Sequence, residues 1–380
     1  MPAPAIMRRD VRELALEELE REVVAEGERT FRARQIMRWL WGVGAESFDA
    51  MRDIPAALRA RLSQRFTADL PRTTASRAED GTCKLLLTLA GNEAIESVII
   101  PADRRLTLCL STQVGCAMAC EFCATAQMGL HRNLTAAEIA GQILVARREI
   151  TADDRFTNFV FMGMGEPLAN YPRLARALKI ISADWGLGIS PRRITVSTVG
   201  LITGMETLMA DFQVNLAVSL HATTDEVRSR IMPINQRFPI ADLLAACARL
   251  PIARRNRITF EYVMLAGMND SPEDAARLIK LLRPLRAKIN LLFFNPFPGS
   301  RFKPSARATV EDFLAVLRQG NLTATLRESR GRDIAAACGQ LYAERGPQQH
   351  QPESAVESRQ GRGEGARPGV GPKDQAGRIH

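Results

Sequence analysis

Three cysteines, Cys116, Cys120 and Cys123, stand within the run VGCAMACEFC, separated by three residues and then by two. Thiolates at such spacing can hold zinc or an iron–sulfur cluster. A structural zinc site almost always takes four protein ligands, and no fourth cysteine or histidine stands in register here. Three thiolates on one short loop suit a 4Fe–4S cube better, ligating three irons and leaving the fourth open to bind a further molecule. A zinc site completed by a distant residue, or three unrelated buried thiols, are the plainer alternatives.

Farther along, FMGMGEP brings Gly163, Gly165 and Glu166 together. Glycine lets a backbone approach a ligand closely, and a carboxylate there can pair with an ammonium group, although a strand-end turn needs glycine anyway. Ser197 in TVSTVG, Ser219 and His221 in VSLHA, and Asn295 in FFNPFPG are polar residues at the ends of β-rich runs. Backbone could satisfy each of them, yet their shared placement on successive strands favours a common ligand. Of the other cysteines, Cys247 in LLAACARL and Cys83 read as structural. Cys109, just ahead of the cysteine loop, and Cys338, after an Arg-Gly-rich stretch, each read in isolation as buried free thiols.

These groups need a scaffold. Residues from about Val11 to Phe66 read as helical, with Leu16, Leu19 and Val23, then Ile36, Trp39 and Leu40, at helical spacing. Arg29, Arg32, Arg34 and Arg38, followed by Arg59, Arg61 and Arg65, form either a solvated basic face or a patch for RNA phosphates. KLLLTL and IESVII, joined by a Gly-Asn turn, predict a β-hairpin ending near Pro101. Beyond it, LTLCLS, FTNFVFMG, RITVSTVG, VNLAVSLHA, ITFEYVML and INLLFFNP alternate with helical stretches. Six βα units with polar residues at the strand ends predict an α/β fold, a partial (βα)6 barrel, with a doubly wound sheet as the alternative. The expected division is a helical accessory domain over 1–70, a hairpin region over 71–101, the partial barrel over 102–344 and a tail over 345–380. That tail is rich in Gly, Gln, Pro and charge, cannot offset its ordering entropy, and is expected to be disordered.

Hydrophobic content of 46% over 380 residues leaves room for a large core. Lys and Arg number 51 against 42 Asp and Glu, and the resulting charge of +9 favours a polyanionic partner without identifying one. No apolar run approaches the roughly 20 residues of a membrane span, and MPAPAIMRRD does not open a signal peptide, so a cytoplasmic location is expected. Seven cysteines, an odd number, fit metal or redox chemistry better than a disulfide framework.

CAMACEFC at the end of a first barrel strand, with Phe122 before the last cysteine, resembles the signature of radical S-adenosylmethionine enzymes. In that superfamily the open iron chelates the amino and carboxylate groups of S-adenosylmethionine. One electron then cleaves it to methionine and a 5′-deoxyadenosyl radical. GMGE, one βα unit later, resembles the superfamily's Gly-Gly-Glu element. Together, TLCLSTQVGCAMACEFCATAQMGLHRNL, FMGMGEPLANY, NLAVSLHA, NPFPGS and RGRDIAAACGQL closely resemble the dual-specificity RNA adenine C2-methyltransferases of bacteria. The likeness runs from the N-terminal helices to about Leu341, and Ala124 and Leu130, where relatives often carry Ser and Phe, are conservative departures.

The resemblance implies a route around an unreactive carbon, because C2 of adenine has no lone pair with which to attack a sulfonium methyl. Cys338 would first take a methyl from one S-adenosylmethionine. The radical from a second would abstract hydrogen from that S-methyl group, and the carbon radical would add to C2. Glu96 would accept the C2 proton, and Cys109 would attack the Cys338 sulfur, leaving a disulfide. From the residues alone, Glu96 reads as a surface strand carboxylate. By the same resemblance Cys116, Cys120 and Cys123 would carry the cluster, and Gly165, Glu166, Ser197, Ser219, Leu220, His221 and Asn295 would contact S-adenosylmethionine. The implied substrates are 23S ribosomal RNA, at one adenine of the peptidyl-transferase region, and the adenine 3′ of some tRNA anticodons. The target would flip into the barrel mouth, gripped by the Arg-bearing helices and the hairpin. A flavodoxin- or ferredoxin-type electron donor and a monomeric state complete the expectation. Rivals are a C8-specific methyltransferase of the same ribosomal adenine, which shares the cysteine set, and a non-catalytic iron–sulfur RNA-binding protein.

Overall fold

Leu16, Leu19 and Val23 make the buried stripe of a helix, Leu16–Ala25, as their spacing predicts. The computed structural model describes residues 8–253 and 256–343, so the expected disordered tail lies outside the described residues. Further helices, Phe31–Met37, its π-helical continuation Arg38–Val43, and Ala56–Arg65, pack around Leu40, Trp41, Leu58 and Leu62. Fully buried Arg12 ties this bundle together by donating to the carbonyls of Ala68 and Ala45. The helix Ala136–Arg147 is buried on nearly every side, as an element covered by both the bundle and the sheet must be. Glu13 from the N-terminal region accepts the Ala137 N–H at this helix's start, where a carboxylate also meets the positive dipole end.

From Arg72 onward the chain forms one ten-stranded sheet. Its strands are β1 (Arg72–Arg77), β2 (Cys83–Thr88), β3 (Ala94–Ala102), β4 (Arg105–Cys109) and β5 (Asn158–Phe161). They continue as β6 (Ile194–Thr198), β7 (Asn215–Ser219), β8 (Ile258–Met264), β9 (Ala287–Phe293) and β10 (Ala324–Arg327). β1 to β4 pair antiparallel, β4 to β10 pair parallel, and each strand neighbours the next in sequence. Crossovers that all step in one direction wind an arc of a barrel; a doubly wound sheet would reverse direction at a switch point. Helices such as Tyr171–Ser182 and Pro272–Leu282 form the crossovers, at the positions the helical periodicity predicts.

Two features differ from the expectation. The arc has seven parallel strands rather than six. The unforeseen one, β10, is four residues of mixed polarity, ATLR, too short to give a period-2 signal. The hairpin strands β2 and β3 also join the same sheet as the barrel, β3 pairing with β4 from Val98–Cys109 to Ala102–Arg105. Among the described residues no helix is long and apolar enough to cross a membrane.

Gln142 on the Ala136–Arg147 helix fixes the region just before the cysteine loop. Its Nε2 donates to the Ser111 carbonyl (2.8 Å), while its Oε1 accepts from the Ser111 N–H (2.8 Å) and the Ser97 hydroxyl (2.6 Å). Gln142→Leu leaves three buried polar groups without partners and is expected to lower stability by about 3 kcal/mol, read from the denaturant midpoint at unchanged slope.

Candidate active site

The cysteine loop follows β4 and is bracketed by a two-stranded ribbon, Gln113–Gly115 against Leu130–Asn133. Cys116 N–H donates to the Gly129 carbonyl (2.8 Å) and Cys123 N–H to the Cys120 carbonyl (3.1 Å), which gathers the three thiols into one cavity. Three thiols on one loop are the donor set that a 4Fe–4S cube takes, one to each of three irons, whereas a structural zinc site takes four protein ligands. Burial pushes the Cys116 thiol up to about 12 and raises Cys120 and Cys123 as well. As thiolates they therefore require a cationic centre to deprotonate them, as iron supplies.

The same cavity is lined by Gly165, Glu166, Ser197, Ser219, His221 and Asn295. Gly165, at φ +97°, touches the chain before the cysteine loop so closely that a Cβ there would lie 2.5 Å from Gln113 Cβ. Glu166 is buried, and its two carboxylate oxygens accept the N–H groups of Leu168 (3.0 Å) and Val199 (2.9 Å). Burial pushes its carboxyl up to about 7, against the lowering effect of those hydrogen bonds, so a ligand ammonium would be a welcome partner. His221, at φ +57°, accepts the Val263 N–H at Nδ1 (3.0 Å), which leaves its Nε2 as the protonated nitrogen. Burial first, then the Arg228 charge, lowers it to about 3, so it is a neutral imidazole. Asn295 donates to the Cys338 carbonyl (3.2 Å), while its Oδ1 is buried without a partner. An orphan acceptor, an acidic group and three thiols in one cavity fit a cluster with an amino-bearing ligand. Leu220 is the exception: its side chain is in the core rather than among the cavity-lining residues.

Arg228 escaped the sequence reading, although it holds the strand ends in place. Fully buried, it donates to the carbonyls of Leu220 (3.1 Å), Ser219 (3.1 Å) and Val199 (2.9 Å) and to Asn235 Oδ1 (2.9 Å). Glu261 was likewise missed; a carboxylate inside the apolar run ITFEYVML was the available signal. It lines the cavity, is held by Asn290 Nδ2 (3.0 Å), and is raised by burial.

Cys338 lines this cavity and also a narrow slot of about 40 Å³ that it shares with Cys109 and Arg327. Cys338 is an exposed residue, in contrast to buried Cys109. Burial raises the Cys338 thiol and Arg327 opposes the rise. Cys109 is buried and pushed up to about 12, by desolvation first and by the Cys338 charge second. All seven cysteines are free thiols. The structure thus brings together two thiols separated by most of the barrel sequence. Glu96 corrects the surface reading: it is buried, ion-paired with Lys84 (2.8 Å), and accepts the Tyr342 N–H (2.9 Å). It lines neither cavity, yet it anchors the segment that carries Cys338.

A parallel arc with a three-cysteine loop after its first strand defines a radical S-adenosylmethionine protein. The profile of the radical SAM superfamily matches residues 110–279, and that of the ribosomal RNA large subunit methyltransferase N-terminal domain matches residues 10–68. A protein named dual-specificity RNA methyltransferase RlmN from Anaeromyxobacter dehalogenans is 50% identical, over 89% of this chain and 93% of its own. The like-named protein of Syntrophus aciditrophicus is 45% identical, over 88% of this chain and 96% of its own. The crystal structure of a radical SAM methyltransferase from Sphaerobacter thermophilus superposes with a TM-score of 0.84 at 44% identity, covering 88% of this chain and 100% of that one. The chain belongs to the RlmN family of dual-specificity RNA methyltransferases. Its cofactors are the family's 4Fe–4S cluster and S-adenosylmethionine, which the donor set described above fits.

The different settings of the two thiols are measurable. Alkylation by iodoacetamide, mapped by mass spectrometry, is expected to modify Cys338 before Cys109. The Cys109 rate should rise about tenfold per pH unit below its raised value of about 12, because only the thiolate reacts.

Proposed function

We propose that this protein methylates C2 of adenine in 23S ribosomal RNA and in the tRNA position 3′ of the anticodon. The observation that carries the reading is the placement of Cys338 between the cluster cavity and Cys109. When bound, the cluster and S-adenosylmethionine supply the electron, the methyl group and the hydrogen-abstracting radical. Cys116, Cys120 and Cys123 ligate the cluster, and Glu166, His221 and Asn295, with Gly165, Ser197, Ser219 and the Leu220 backbone, orient S-adenosylmethionine.

The chain's own contribution centres on sulfur. Cys338 accepts the methyl, presents it to the base, and holds the RNA covalently once its carbon has bonded to C2. Glu96 takes the C2 proton; its support is the family likeness and its bond to Tyr342 beside the Cys338 segment. Once the adduct has given up that proton and one electron, for which a bound cluster would be the acceptor, the Cys109 thiolate attacks the Cys338 sulfur. The sulfur–carbon bond breaks, its electron pair stays on the former methyl carbon, which takes up a proton to become the methyl group, and the disulfide forms. A thiol or dithiol reductant resets the pair. Arg327, facing both sulfurs, favours their thiolate forms.

Residues 1–70 act as an RNA-contacting accessory unit, 71–101 as a hairpin flank and 102–344 as the catalytic barrel. The protein works as a cytoplasmic monomer fed by a flavodoxin- or ferredoxin-type donor, a reading supported by seven free thiols that a reducing compartment preserves.

Anaerobic reconstitution with iron, sulfide and S-adenosylmethionine, followed by mass spectrometry of RNA nucleosides, is expected to yield 2-methyladenosine; 8-methyladenosine would move the reaction to C8. Cys338→Ala should abolish methylation with the cluster's visible absorbance intact. Cys109→Ala should accumulate a covalent RNA adduct on Cys338, visible as a shifted band in a denaturing gel. Full methylation by either variant would exclude the thiol roles.

A further inference from the structure

Cys338 faces more than the cluster cavity. The slot it shares with Cys109 has four wall residues, Ile100, Arg327, Glu328 and Arg330, in common with a wider chamber of about 550 Å³ that neither thiol lines. The chamber lies where the arc fails to close: its walls come from β3, β4 and β5 at one end and β9 and β10 at the other. Closed barrels fill this space with branched apolar side chains. Here Thr107, Asn158, Asn290 and Thr325 line it beside apolar residues such as Val160 and Leu326, with Arg105, Lys288, Arg327 and Arg330 around them.

Those four cations lack carboxylate partners. None has a carboxylate oxygen within 4.0 Å among the described residues, and Glu328, on the chamber wall, is already held by both guanidinium nitrogens of Arg307 (3.0 and 2.9 Å). Glu261, deeper in the barrel, is the other nearby acid; Asn290 holds it, and the charges of Arg327 and Lys288 oppose the effect of its burial from beyond ion-pair distance. The arginines of the N-terminal helices contrast with this. Arg32, Arg34, Arg59, Arg61 and Arg65 have acidic partners, whereas Arg21, Arg29 and Arg38 have no carboxylate oxygen within 4.0 Å among the described residues. Compensated cations release few counterions when a polyanion binds; uncompensated ones release many.

We infer that this chamber is the phosphate-docking surface for the RNA, with Arg105, Lys288 and Arg330 holding backbone phosphates beside the thiol pair. The inference rests on the methyltransferase reading and deepens it. With the cluster and S-adenosylmethionine occupying the cavity on one side of Cys338, a nucleotide would reach that sulfur by way of the slot, whose Ile100, Arg327, Glu328 and Arg330 the chamber shares. RNA is gripped chiefly through its phosphates, and a polar chamber with spare guanidinium and ammonium donors suits phosphodiester oxygens.

The test is the salt dependence of binding between reconstituted protein and a fluorescently labelled anticodon stem-loop RNA with adenine 3′ of the anticodon. The triple variant Arg105→Gln/Lys288→Gln/Arg330→Gln is expected to weaken binding roughly tenfold or more and to flatten the slope of log K against log salt by about 2, as loss of three phosphate contacts requires. S-adenosylmethionine binding, by equilibrium dialysis, and the cluster absorbance should stay at wild-type values, which excludes misfolding. A triple variant with the wild-type slope, while Arg29→Gln/Arg38→Gln loses it, would place the grip on the helices and overturn the inference. Unchanged RNA binding with slower reduction by flavodoxin would assign the face to an acidic electron donor and overturn it too. Wild-type protein that leaves RNA unmethylated would instead sink the methyltransferase reading.

Discussion

Residues 328–343 have no helix or strand to hold them, so their position rests on hydrogen bonds to other elements. Gly331 N–H donates to Asp80 and Glu79 N–H to Asp333, which pins the start of the segment to the hairpin side. Past Cys338, the Gly339 carbonyl accepts the Ala124 N–H (2.7 Å) and the Leu341 carbonyl accepts the Thr125 hydroxyl (2.6 Å). Asn295 from the end of β9 reaches the Cys338 carbonyl, and Glu96 from β3 takes the Tyr342 N–H. Each bond contributes on the order of 1 kcal/mol net. Their number and spread fasten an otherwise loose strap across the barrel mouth, with one thiol facing both the cluster loop and Cys109.

That arrangement accounts for the polar barrel interior. Buried Arg228 is lowered to about 10 by desolvation, a real cost of keeping a guanidinium away from water. Its bonds to three strand-end carbonyls offset that cost and set where Ser219 and His221 sit. Glu166 and Gln142 do similar work on the other side, linking the turn after β5 and the segment after β4. The mouth of the barrel is therefore a framework of hydrogen bonds among the chain's own groups.

Charge is distributed to the same end. Net basicity suggested a polyanion, but basic residues are not equivalent once paired. Arg32, Arg34, Arg59, Arg61 and Arg65 of the N-terminal helices are ion-paired, while Arg105, Lys288, Arg327 and Arg330 around the open side of the arc have no carboxylate oxygen within 4.0 Å among the described residues. Glu13, Glu46 and Trp41 bind the helical bundle to the Ala136–Arg147 helix and its end.

The sequence by itself determined the parallel βα alternation, the helical N-terminal region and the three-cysteine loop, because these depend on periodicity and spacing within a few tens of residues. It also marked Ser197, Ser219, His221 and Asn295, since a strand's end is legible from its own pattern. It did not show β10, whose four residues become a strand only by pairing with β9. Nor did it show that Glu96 is buried, that Arg228 ties the strand ends, or that the basic residues of the open side are unpaired. Only the tertiary structure decided these, because each depends on groups far apart in sequence that sheet register and the C-terminal strap bring within bonding distance. Cys109 and Cys338 are the clearest instance: their own residues read as two plain thiols, the family resemblance alone paired them, and the structure sets both on one slot where the strap crosses the end of β4.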